Sequence, residues 1–214
     1  MTETKFFRWT GSSLMGSRIA IAAFWLLALP FESFAGPEVP LHPLFVPGQV
    51  FHILGATLAV FGYFGLYLRQ KDAGGTLGAI GFVIAVIGMM FFLADALIGI
   101  IIFPTIAQHA PELTNAAGPL FTGRVLGFYI LFAVTNMIGI VLLGIATLRA
   151  NVLPRIAAIV FLAGGIMFNL PPLPSLHIIL VTGGVIWGAG AAWLGYSLVV
   201  SQMYGLSLIQ GATE

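Results

Sequence analysis

Residues 75–103 read GTLGAIGFVIAVIGMMFFLADALIGIIIF, a run interrupted by one charge, Asp95. A helix crossing a bilayer needs about 20 consecutive apolar residues, and this stretch exceeds that length. The rest of the chain has the same character. Of its 214 residues, 59% are hydrophobic and 7% charged, and the mean hydropathy is +1.07. Eight basic and seven acidic residues cannot coat a water-facing surface of this size. The fold class that follows is an all-α integral membrane protein, with residues 1–214 forming a single transmembrane domain.

Outward from that run, apolar segments cover about 14–33, 49–68, 75–103, 123–148, 155–171 and 175–200. They predict six transmembrane helices arranged as three hairpins. Helix breakers fall between them: Pro37 and Pro40, Gly74 and Gly75, Pro104 and Pro111, Pro154, then Pro171, Pro172 and Pro174. The third segment is long enough to tilt or kink, and the fifth is short for a span.

Basic residues set the expected direction, because positively charged loops stay on the cytoplasmic side. Lys5, Arg8, Arg18, Arg69, Lys71, Arg149 and Arg155 fall on one side of a six-span arrangement and Arg124 on the other. Both termini are therefore expected in the cytoplasm, with the protein in the cell membrane as a multi-pass chain. The N-terminal stretch also resembles a secretory signal, with Lys5 and Arg8 before an apolar run and the small-residue site Ser33-Phe34-Ala35. Retention of that segment as the first span is the expectation.

Similarity within the chain supports retention. Arg18-Ile19-Ala20-Ile21 opens the first segment as Arg155-Ile156-Ala157-Ala158 opens the fifth, and the following segments begin near His52-Ile53 and His177-Ile178. The middle hairpin joins more weakly, through Pro43-Leu44-Phe45 against Pro119-Leu120-Phe121. Copies running in one direction imply a parallel internal repeat about an axis along the membrane normal.

Membrane helices pack through small residues. The stripes His52, Gly55, Ala59, Gly62 in segment two, Gly81, Ala85, Gly88, Phe92, Asp95, Gly99 in segment three, and His177, Val181, Gly184, Gly188, Ala191, Gly195 in segment six put one polar group on each small face. His52, Asp95 and His177 are thus expected to point inward, in the outer third of the membrane. Asn136 and Asn169 read as interhelical hydrogen-bonding residues.

An acidic residue inside a span often marks a pathway, a relay or a paired charge. Asp95 is the best single candidate, and an ion pair with Arg124 is its structural alternative. Together Glu32, His52, Asp95, Arg124 and His177 define a candidate outward-facing ligand or ion pathway. No catalytic residues emerge. Asp95 is alone at depth, which excludes a two-carboxylate intramembrane protease, and there is no HExxH, GxSxG or P-loop. Both lysines fall on the cytoplasmic side, so a retinal Schiff base has no anchor. Absence of cysteine removes thiolate metal sites and disulfides, and no metal ligands are expected. The chain does not read as an enzyme.

Three functional expectations follow. The first is an accessory or structural subunit of a membrane assembly, whose partners are the lipid bilayer and a larger complex or further copies of itself. The second is a small-solute or ion pathway, or a binder of an amphipathic ligand, built on the five polar residues. The third is a membrane cytochrome with haem b held between His52 and His177, where Gly55 and Gly184 make room for the macrocycle and Arg124 meets a propionate. A net charge of +1 points to no nucleic-acid partner.

Overall fold

The computed structural model describes residues 2–28, 30–31, 36–115, 118–120, 122–170 and 177–210, without the side chains of 177–178 and 202–210. Among these residues the protein is all-helical. Helix α1 spans Glu3–Ala28, α2 Glu38–Leu41, α3 Phe45–Ile101, α4 Phe103–His109, α5 Gly123–Ala150, α6 Arg155–Phe168 and α7 His177–Gln210, with a 3-10 turn at Pro111–Thr114.

Helix α1 begins well before the apolar segment read from residue 14. Its early polar residues do not need water. Thr10 donates to the Phe6 carbonyl at 3.1 Å, Ser13 to Trp9 at 2.9 Å and Ser17 to Leu14 at 2.7 Å, so each hydroxyl is satisfied on its own helix and can be buried. Glu3 lies in the first turn, where a negative charge meets the positive end of the helix dipole.

Helix α3 is two helices joined at Gly75, where φ 53° and ψ −150° break its direction. A side chain strains that backbone conformation, so glycine is required there. The two arms, 45–74 and 75–101, fold back on each other. Tyr67 stacks on Phe82 with ring centroids 4.9 Å apart. Farther from the turn the His52 ring meets Phe92 at 4.3 Å, and farther still Gln49 covers Gly99. At its far end α3 gives way to α4 at Ile102, followed by Pro104 near the start of α4.

The other boundaries have local causes. Asn151 takes the left-handed conformation that ends α5. Pro154 precedes α6, and Asn169 caps its end. Between ring neighbours the contacts run antiparallel. Gly55 faces Ile21 and Gly62 faces Leu14; Gly81 faces Leu143 and Gly88 faces Asn136; Gly164 faces Trp187 and Gly190 faces Phe161. Helix α7 returns to α1 through Gly195 against Gly11. The order α1, 45–74, 75–101, α5, α6, α7 therefore closes into a ring whose neighbours alternate in direction.

Small residues make these approaches possible. A Cβ on Gly11 would sit 2.5 Å from the Gly195 carbonyl oxygen, and one on Gly81 2.6 Å from the Leu143 nitrogen. Helix α7 uses two such faces, Gly183 and Gly190 toward α6 and Gly195 toward α1. The centre of the ring is filled by Tyr63, Phe161 and Trp187 together with Leu14, Leu143 and Leu194, all essentially inaccessible. Outside, the surface is apolar: Ile19 is 73% exposed, Val185 68% and Ile101 66%.

Four helical stretches are long and apolar enough to cross a membrane: Glu3–Ala28, Phe45–His109, Gly123–Ala150 and Ile179–Ser201. The second contains the Gly75 reversal, and each of its arms exceeds the about 20 residues of one span. Helix α6, with 14 residues, rises about 21 Å and is shorter than the hydrocarbon core.

Candidate functional site

The ring has two ends. One carries Glu3, Gly75, Ala150 and Arg155; the other carries α2, α4 and the 3-10 turn, joined where the Gly36 amide donates to the Thr114 carbonyl at 2.8 Å. Of the five polar residues expected to form a pocket, Glu32 lies outside the described residues, as does the side chain of His177, the first residue of α7. The other three are all nearer the α2/α4 end, in two different settings.

His52 is 3% exposed and lies two turns into α3, deeper than the first-turn position read from the sequence. Its ring is held between Phe24, at 4.6 Å and 32°, and the edge of Phe92, at 4.3 Å. Nδ1 is 3.3 Å from Gln49 Oε1, and Nε2 has no hydrogen-bond partner. That free nitrogen has the chemistry of a haem ligand, but its surroundings do not fit one. The space beside Gly55 is occupied by the Ile21 side chain and that beside Gly184 by the Phe168 ring. Two phenylalanine rings already cover the imidazole, so among the described residues there is no slot for a macrocycle at His52. Among the described residues, no three His, Asp or Glu converge as a metal site.

Asp95 is half-buried on the 75–101 arm. Its side chain faces the Tyr129 hydroxyl on α5, and it makes no ion pair with Arg124, the structural alternative read from the sequence. Arg124 is exposed in the first turn of α5. It lines a groove with Tyr129, Phe128 and Val125 of α5 and Ile98 and Ile102 of the opposite arm. Asp95, Tyr129 and Arg124 thus occupy one region, at the α3/α5 interface, while His52 faces the interior behind Phe92.

Deeper in the ring lies a charge whose position the sequence reading missed. By charge pattern alone Arg18 belongs with the basic flanks. It is instead 7% exposed, ten residues, or about 15 Å, from the end of α1. Its guanidinium carbon sits 4.3 Å from the Trp187 ring centroid, and Nη2 donates to the Tyr63 hydroxyl at 3.3 Å. Nε has no hydrogen-bond partner. A hydroxyl and an indole face, and no carboxylate among the described residues, receive this cation. The signal was helical spacing: Gly11, Leu14, Arg18 and Ile21 share the buried side of α1, which a tally of flanking charges does not register.

Between α5 and the end of α6, Asn136 Nδ2 donates to Asn169 Oδ1 at 2.9 Å, and Asn169 Nδ2 donates to the Gly165 carbonyl at 2.7 Å. Gly88 permits this clasp by packing directly on Asn136. Comparison with family models, curated proteins and solved structures returns no match.

Proposed function

We propose that this chain crosses the cell membrane six times, with both termini and the Gly75 turn in the cytoplasm, and acts as a structural or accessory subunit of a membrane assembly. Six basic residues, Lys5, Arg8, Arg69, Lys71, Arg149 and Arg155, lie at the Gly75 end, against Arg124 at the other, and this asymmetry supports the orientation. Arg18, being interior, no longer contributes to it. Helix α1 packs on the 45–74 arm and on α7, which supports its retention as the first span. Three hairpins around one centre are the arrangement a parallel internal repeat would produce.

The observation that carries the functional reading is the filled centre. Charged residues in transporters commonly face a water-lined cavity. Here Arg18 is covered by Trp187 and Tyr63, and His52 by Phe24 and Phe92. Such an interior suits a rigid body that offers its apolar outer face to lipid and to other helices. Extraction from native membranes in a mild detergent tests this. The expected result is a species larger than the 22.7 kDa chain that contains a second polypeptide at fixed stoichiometry. Purification as a stable single chain that also carries solute flux in proteoliposomes would contradict it.

A second reading, the binder of an amphipathic ligand, is favoured by one specific observation: the groove beside Arg124 joins apolar walls to an exposed guanidinium.

A further inference from the structure

We infer that the groove between the far end of the 75–101 arm and the start of α5 is a binding site for one anionic phospholipid of the outer leaflet, with its phosphate on Arg124 and an acyl chain along the groove. The cavity measures about 330 Å³ and is walled by Ile98, Ile102, Phe103, Leu120, Val125 and Phe128. That volume is at the lower end of small-ligand pockets. Apolar walls alone would not distinguish one lipid from another, because any acyl chain wets them equally. The distinction comes from the rim. Arg124 is exposed and makes no hydrogen bond or ion pair among the described residues. A guanidinium offers paired donors that match a phosphate, and basic groups between membrane helices select anionic head groups.

The Thr122 hydroxyl donates to the Gly118 carbonyl at 3.0 Å, and no side chain caps the start of α5, a helix end whose dipole favours an anion. The inference rests on the membrane and orientation readings and is independent of whether the protein serves a larger assembly.

The test is native mass spectrometry of the full chain released from vesicles of equal parts phosphatidylglycerol and phosphatidylcholine, with thermal unfolding as the check on folding. The expected result is one retained phosphatidylglycerol per chain, at least tenfold over phosphatidylcholine. Arg124→Gln should abolish that preference, whereas Arg149→Gln, at the opposite end, should keep it. Ile102→Trp should reduce retention by filling the groove with Arg124 still present. Equal retention of the two lipids, or a preference unchanged by Arg124→Gln in folded protein, overturns the proposal. Failure of the chain to enter vesicles would instead overturn the membrane reading beneath it.

Discussion

Arg18 puts a full charge near mid-depth in a ring of apolar helices, and the stability of that arrangement depends on the reference state. When membrane helices separate, the arginine stays in the bilayer and loses Tyr63 and Trp187. The contacts within the ring therefore favour the assembled state, even though burying the charge is itself unfavourable. Replacing Arg18 with alanine removes the stem, leaves the Tyr63 hydroxyl without its donor and opens a void. We expect a loss of about 2–4 kcal/mol in reversible unfolding in micelles, with a shift in the emission that Trp187→Phe identifies as due to Trp187. Arg18→Met keeps most of the packing and should lose less. A change below about 0.5 kcal/mol for Arg18→Ala, within the range of ordinary surface substitutions, would show that the contacts are incidental. The Asn136–Asn169 bond invites a double-mutant cycle with Asn136→Leu and Asn169→Leu. Interhelical polar bonds in membranes average about 0.6 kcal/mol and reach about 1.7, so a coupling in that range is expected, and one indistinguishable from zero would remove the clasp from the account.

At the level of elements, glycine position decides how close the helices come. Gly164 packs directly on the backbone of Trp187, whereas a Cβ at Gly127, on the exposed side of α5, would meet nothing within 4 Å. Gly164→Ala should therefore destabilise by about 1–3 kcal/mol through overpacking. Gly127→Ala should stabilise by a few tenths to about 1 kcal/mol through helix propensity. Thermal unfolding of both variants checks the pair, and equal effects would mean that the α6/α7 approach is looser than described. The helices themselves were legible in the sequence, because hydropathy, Gly74-Gly75 and Pro154 mark segments and breaks directly. The extension of α1 back to Glu3 was harder to see. Thr10, Ser13 and Ser17 read as polar in a hydropathy scan, yet each hydroxyl bonds to its own backbone and the helix continues through them. Arg18 escaped for a related reason: a charge count treats every arginine as solvated, and only the contacts of the folded ring identify one that is not.

Over the described residues the molecule is an alternating ring of six helical segments with an aromatic centre, which suits a packed membrane body better than a conduit. Proteoliposomes containing it should show the same ion and small-solute leak as empty liposomes, and a flux abolished by Asp95→Asn would contradict the filled-centre reading. The candidate site was only partly legible. The sequence drew attention to His52, Asp95 and Arg124, but helical spacing alone could not assign Tyr129 to Asp95 or Phe24 and Phe92 to His52, because each partner lies on another helix. The central claim is the six-pass path with both termini inside, and the absence of native cysteine makes it directly measurable. Single substitutions Asp72→Cys and Asn151→Cys at the Gly75 end, and Glu38→Cys and Asn115→Cys at the other, are probed in intact cells with a membrane-impermeant maleimide. The account predicts labelling of Glu38→Cys and Asn115→Cys in intact cells, and of Asp72→Cys and Asn151→Cys only after permeabilisation; labelling of Asp72→Cys and Glu38→Cys from the same side would contradict it.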